Sequence, residues 1–282
     1  MRRRFSAAYQ TEPLSALAVW SRRLAVFSLL TTITSIVVIR FGFLELRPAL
    51  ATFFGALALA GLSILVGLAA FAAIWHNGSR GMSLILLAFL INAAILAYPA
   101  YLAYQYRKLP AIHDITTDAI DPPRFDTLAP LRGTDGSNSA VYAGLYSAEQ
   151  QRAAYPDIEP ISIDVPPQRA YELVSRIVSR RKWTVIDDRP PQPPQRPGRI
   201  EAVARTPIMG FREDVSIRIS PDGDGSRVDI RSSSRYFEHD LGSNAARITK
   251  FTEDLNTAVD TAAPVKKLMT PAKPQAKGTT KR

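Results

Sequence analysis

Three uncharged apolar runs fill the first hundred residues, and they constrain the chain more than any motif in it. Residues 24–39, 50–75 and 82–104 contain no Asp, Glu, Lys or Arg. About 20 apolar residues cross a bilayer, so each run is a transmembrane-helix candidate. The first run has Arg2, Arg3, Arg4, Arg22 and Arg23 ahead of it, as a signal peptide would. No small-residue cleavage pattern follows, however, and apolar character resumes at Phe41, Gly42, Phe43 and Leu44. A membrane helix ending near Leu46 is expected, with Arg40 and Arg47 snorkelling to one interface.

Flanking charge sets the expected direction. Five arginines precede the first span, and Arg80 lies in the short 76–81 loop between spans two and three. The opposite side carries Arg40, Arg47, Arg107 and Lys108. The positive-inside rule then puts the N-terminus in the cytoplasm and the remaining domain outside, in the periplasm of a bacterium. Polar residues within the spans are Thr31, Thr32, Thr34, Ser35, Ser63 and Asn92. Such hydroxyls usually bond back one turn. The pairs Ala51/Gly55 and Ser63/Gly67 suit close helix packing. No ionisable group sits at mid-span, which argues against a pump or coupled transporter.

The net charge of +10 is unevenly distributed. Residues 1–111 carry ten basic and two acidic side chains, and the 264–282 tail carries six basic and none acidic. Residues 112–263 hold nineteen basic and twenty-three acidic side chains, so the folding part is mildly acidic. A protein that grips nucleic acid concentrates positive charge on its folded surface, and nucleic acid is not expected as a partner here. The lipid bilayer is. The chain has no cysteine, which excludes disulfides, thiolate nucleophiles and Cys-based metal sites.

Beyond the spans, residues 106–160 read as an irregular leading segment, rich in proline and containing the turn-prone RGTDGSNS. Residues 161–263 read as the domain itself. Ile161, Ile163 and Val165 alternate with polar residues as a strand. Pro166 and Pro167 can open a helix with the stripe Tyr171, Val174, Ile177 and Val178. Further strands are expected at 183–186, 199–205, 214–219 and 227–231, the last two joined by the turn PDGDG. The RPPQPPQRPG stretch at 189–198 reads as a stiff loop. Asp240 can cap a final helix with inner face Leu241, Ala245, Ile248, Phe251, Leu255 and Val259. The expected fold is α+β: a three-helix transmembrane region (23–105, after a basic 1–22), then a two-layer sandwich of an antiparallel sheet with two helices. The basic 264–282 tail lacks the apolar content to fold.

A set of short motifs carries a resemblance. They are IHDITTD at 112–118 with Pro122, Pro123 and Phe125; Trp183; IEAVART at 200–206; GFREDVSIRI at 210–219; VDIRSSSR at 228–235; and DLGSNAARI at 240–248. In order and spacing the chain resembles the uncharacterised bacterial family of domain of unknown function 1499. The resemblance implies a membrane-associated envelope protein and implies no activity.

Catalytic motifs are scarce. Ser232, Ser233 and Ser234 with His239 and Asp240 supply the residue types of a serine relay but no nucleophile elbow, and surface serines beside a helix cap explain them more simply. His113-Asp114 with His239-Asp240 can ligate a metal only if distant segments meet; no metal or cofactor is expected. The more prominent candidate is a polar constellation: Asp114, Thr116, Thr117 and Asp118; Glu213 and Asp214 before a strand; Arg231 and Arg235 around the serines; and Asp240, Asn244 and Arg247 at the final helix. Asp114 or Asp118 can pin the leading segment to Arg231, Arg235 or Arg247 as a structural lock, since arginine forks suit carboxylates. Alternatively, some of these groups line a cleft holding an anionic or polar envelope ligand. The resulting expectation is a binding or structural module on the periplasmic face of the inner membrane, partnered by the bilayer and by an envelope protein or such a ligand. The rival is an envelope hydrolase for lipid or cell-wall material, using two carboxylates of unequal pKa and an arginine.

Overall fold

The computed structural model describes residues 12–133, 137–192 and 196–262. The 264–282 tail and the middle of the RGTDGSNS and RPPQPPQRPG stretches therefore lie outside the described residues. The chain divides into two compact units, Met1–Leu109 with Thr206–Phe211, and Pro110–Arg205 with Arg212–Arg282.

The first unit holds three helices, α1 (Ala16–Phe41), α2 (Leu46–Asn77) and α3 (Met82–Lys108). All three are long and apolar enough to span a membrane. The first ends at Phe41 rather than near Leu46. Gly42 adopts φ +70° there, and its amide donates to the Ile39 and Val38 carbonyls, a left-handed stop that glycine tolerates best. The seam between α1 and α2 is built of small residues: Ala18, Ser21, Ala25 and Ser28 against Ala56, Ala60, Ser63 and Gly67, all buried. Gly67 is required for close approach, because a Cβ there would lie 2.6 Å from the Phe89 ring. Gly55 meets nothing within 4 Å, so the Ala51/Gly55 pair is not a packing seam within this chain.

Thr31, Thr34 and Ser35 bond back one turn as expected, whereas Thr32 Oγ1 is buried and makes no hydrogen bond among the described residues. Ser63 instead bonds across the bundle. Its hydroxyl donates to the Ser21 carbonyl, the Ser21 hydroxyl returns the bond to the Ser63 carbonyl, and Asn92 Nδ2 donates to Ser63 Oγ at 2.9 Å. Hydrogen bonds made in this way by buried polar side chains join the three into one packed unit, and Asn92 Oδ1 is left without a partner among the described residues.

The second unit is α+β. Its strands are β1 (Asp114–Thr116), β2 (Ile161–Ile163), β3 (Thr184–Arg189), β4 (Gly198–Arg205), β5 (Arg212–Asp222) and β6 (Gly225–Ser234). Its helices are α4 (Leu145–Ala154), α5 (Pro167–Arg180) and α6 (Ser243–Ala262). The sheet is antiparallel in the order β1-β6-β5-β4-β3, and β2 shares the outer edge of β6 with β1. β1 pairs with Arg231–Ser233 and β2 with Ser226–Val228. Gly225 permits the β2 pairing, since a Cβ would come 2.4 Å from the Ile163 carbonyl oxygen.

Strand alternation sends Ile200, Ala202, Val215, Ile217, Val228 and Ile230 to one face, where α5 and α6 cover them with Leu173, Val174, Ile177, Ile248, Phe251 and Leu255. Trp183 stacks on Phe251 at the base of this layer.

Several local expectations are corrected. Glu213 and Asp214 lie within β5, not before it. Ser232, Ser233 and Ser234 are buried rather than on the surface. Leu241 sits outside α6 at φ +53°. The leading segment is not wholly irregular: it supplies β1, a short 3-10 turn at Ala129–Leu131 and α4. β1 is an edge strand, and α4 protects it. Gln151 Oε1 accepts from the Thr116 amide and Gln151 Nε2 donates to the Thr116 carbonyl, so one side chain occupies the place of a neighbouring strand.

Candidate functional site

The alternation that points apolar residues at the helices points charged residues at the other sheet face. That face carries Arg199 and Glu201 from β4, Asp214 and Arg218 from β5, and Arg227, Asp229 and Arg231 from β6, continuing to Arg235. Residues of the leading segment lie over it and meet these charges one by one.

Asp114 and Arg231 form a buried fork, Nε to Oδ1 at 2.9 Å and Nη2 to Oδ2 at 2.6 Å. Arg231 also donates to the Pro123 and Ala140 carbonyls, with its guanidinium 4.5 Å from the Phe125 ring centroid. Asp214 is held between two arginines, Arg235 at Oδ1 and Arg132 at Oδ2, both at 2.8 Å. Asp118 accepts the Ile120 and Asp121 amides at Oδ1 and Arg218 and Arg227 at Oδ2. Those two arginines share the buried Asp229. Glu201, fully buried, accepts the amides of Asp126, Thr127 and Leu128. A buried carboxylate is tolerable when its lone pairs are filled in this way.

A second network lies on the helix face. Glu213 accepts from Ser234 and Ser243 and pairs with Arg247. Ser232 donates to Asn244, which in turn donates to the His113 carbonyl and Ser234. Asp240 caps α6 by accepting the Gly242 and Asn244 amides. Burial pushes the Asp240 carboxyl upward, against the pull of those two amides. Burial likewise lowers His113, opposed by the nearby Asp114 charge.

The ten singled-out residues therefore do not share one cleft. Asp114, Asp118, Asp214, Arg231 and Arg235 serve the outer face, while Asp240, Asn244 and Arg247 serve the helix face. Thr116 and Thr117 work on backbone, with Thr117 Oγ1 accepting from the Ile230 amide. The pairings also differ from expectation in part. Asp118 takes Arg218 and Arg227, Arg235 takes Asp214, and Arg247 takes Glu213. Arg132, Glu201, Arg218, Asp229 and Gln151 were not singled out from sequence, although Arg218, Asp229 and Arg231 occupy strand positions that alternate with core residues. The Ser232 and Ser234 protons are committed to Asn244 and Glu213, and His239 Nδ1 accepts from the Leu241 amide. Among the described residues no group of three or more His, Asp or Glu side chains is arranged to hold a metal ion.

One open groove of about 780 Å³ lies at the outer face, where Arg199 and Arg218 of the sheet meet Arg124, Arg189 and Arg196. Neither Asp114 nor Asp118 lines it.

These features define a class: an antiparallel α+β domain whose charged sheet face is covered by its own leading segment, in a chain that also has three helices apt to span a membrane. Residues 114–255, just over half of the chain, match the family model described as Protein of unknown function (DUF1499), and the chain belongs to that family. No curated protein matches it.

Proposed function

We propose that the protein is a membrane-anchored binding or structural module of the bacterial envelope, holding its α+β domain on the periplasmic side of the inner membrane without catalysis. The observation that carries this reading is the separate commitment of the four carboxylates a hydrolase would draw on. Asp114 is spent on Arg231, Asp118 on two arginines and two amides, Asp214 on two arginines, and Asp240 on a helix cap. An acid–base pair needs two carboxyls facing one substrate at unequal pKa, and these four face four different partners. The N-terminal arginine cluster supports the orientation.

A reporter fused at Thr261 tests the placement: alkaline phosphatase activity is expected, and fluorescence of a cytoplasm-only reporter overturns it. Turnover of generic ester, phosphate or peptide substrates by the purified chain, abolished in Asp114→Ala, would overturn the non-catalytic part.

A further inference from the structure

We infer that the turn joining β4 to β5, Thr206–Phe211, enters the lipid headgroup region as a membrane contact additional to the three helices. This rests on the membrane-anchored half of the reading above and adds a lipid-binding surface that the helices do not supply.

The argument starts from two hairpin turns of the same sheet. The turn between β5 and β6 at 221–225 is Pro-Asp-Gly-Asp-Gly, with Asp222, Gly223 and Asp224 exposed. Turns that face water are built from such residues. The turn between β4 and β5 instead runs Pro207, Ile208, Met209, Gly210 and Phe211, five residues without one polar side chain. Met209 is buried, but Pro207 is exposed and Ile208 and Phe211 are half-buried, so the chain itself covers this apolar turn only in part.

The backbone of the turn is arranged for a place poor in water. The Thr206 amide donates to the Phe211 carbonyl at 3.0 Å, and the Phe211 amide donates to Thr206 Oγ1 at 2.9 Å. Gly210 donates to the Thr206 carbonyl at 3.2 Å. Arg40 Nη1 then donates to the carbonyls of Pro207 at 2.7 Å and Ile208 at 3.2 Å. Carbonyls within lipid have no water to turn to and must be met by the protein. Gly210, at φ +71°, lets the turn lie directly on Arg40, because a Cβ would fall 2.8 Å from the Arg40 Cγ. Arg40 and the turn belong to the same compact unit.

Arg40 also sets the depth. It is the first charged residue after the 24–39 run and the last but one of α1. An arginine at the end of a span reaches for the headgroups, and a turn seated on it shares that level. Phe41 and Phe43, both exposed, continue the apolar surface along the chain from Arg40. Arg205 and Arg212, exposed cross-strand partners, bracket the turn with long cationic side chains suited to an anionic lipid surface.

The chain has no cysteine, so a nitroxide label can be placed at a single introduced one. Full-length Pro207→Cys and Ile208→Cys, labelled in nanodiscs of phosphatidylcholine and phosphatidylglycerol, are compared by electron paramagnetic resonance with Asp222→Cys on the other turn. At 207 and 208 collisions with oxygen, which concentrates in lipid, should exceed those with a water-soluble nickel complex, and at 222 the order should reverse. An oxygen-to-nickel ratio at 207 no higher than at 222, or a label at 207 that meets neither reagent because protein encloses it, overturns the inference. Pro207 is exposed, so its variant carries the test if Ile208→Cys does not fold. Leu90→Cys, exposed on α3, reports on the spans themselves. Oxygen dominance at 90 without it at 207 overturns this inference alone, whereas nickel dominance at 90 overturns the membrane anchoring as well.

Discussion

Arg231 shows what a single side chain carries in this domain. It is 3% exposed, binds both Asp114 oxygens, reaches two carbonyls and rests on Phe125 and Tyr142. Lysine keeps the charge but has no planar fork, so it cannot span both carboxylate oxygens and the carbonyls together. Arg231→Met leaves Asp114 charged and unpaired, and removing one partner of a buried pair costs about 3–5 kcal/mol. Arg231→Lys should recover only part of that loss. Adding Asp114→Leu to Arg231→Met should restore some stability, because the stranded charge goes with it. Urea unfolding followed by circular dichroism checks the series, and a loss under about 1 kcal/mol for Arg231→Met contradicts the account. Asp114 and Arg231 could both be singled out from sequence as carboxylate and fork. Their neighbours Glu201 and Arg218 could not, because a charge alternating with apolar residues in a strand reads as a solvated face. What buries them is a segment 73 to 100 residues earlier, as the Arg218 bonds to Asp118 and Asp121 and the Glu201 bond to Leu128 illustrate.

Elements were legible where a period was present. α5 repeats apolar residues at helical spacing, and β4 to β6 alternate. β1 and α4 carry no such signal: β1 is three residues long, and the buried positions of α4 are Ser147 and Gln151 rather than an apolar stripe. The end of α5 offers a prediction. Trp183 donates to the Val178 carbonyl and Lys182 to that of Ser179, a six-to-one and five-to-two pair that requires a left-handed residue at 182. Lys182 occupies it at φ +56°, exposed. A left-handed non-glycine residue costs about 1–2 kcal/mol, part of which glycine's greater unfolded-state freedom offsets. Lys182→Gly should therefore stabilise the domain by about 0.5–1 kcal/mol, seen as a higher urea midpoint; a lower midpoint contradicts it. Tyr171 of the same helix and Tyr155, which ends α4, supply an alkaline signature. Burial, and then the Asp188 hydrogen bond, push Tyr171 up to about 12. Burial, and then the Asp240 charge, push Tyr155 up to about 12. Both folded values exceed the ordinary 10, so the folded chain holds these protons more tightly than the unfolded chain does. The contribution is complete below pH 10 and is lost as pH rises from 10 towards 12. Phenolate absorbance in Tyr155→Phe/Tyr171→Phe should lose its component near pH 12, while a loss of amplitude confined to the region of pH 10 would show that neither group is shifted.

At the scale of the whole molecule, the informative boundary is the one between membrane-apt helices and domain. Sequence places the start of recognisable strand and helix periodicity at residue 161. The structure places residues from Pro110 onward in the same unit as the sheet. Ile112, Ile115, Phe125 and Leu128 are each at most 5% exposed. Burying a side chain of this size contributes about 1.5–3 kcal/mol, so the four together supply roughly 6–12 kcal/mol before the entropy of ordering the segment is subtracted. The net stability of a domain is about 5–15 kcal/mol, so the segment cannot be removed as a mere spacer. Its loss would also expose the outer edge of β6 where β1 now pairs. A fragment of residues 112–262 should therefore unfold cooperatively in urea, and a fragment of residues 161–262 should show no cooperative transition or a far lower midpoint. If the shorter fragment unfolds at the same midpoint as the longer one, the leading segment is a passive covering, and the ion pairs that fasten it contribute little to holding the sheet together.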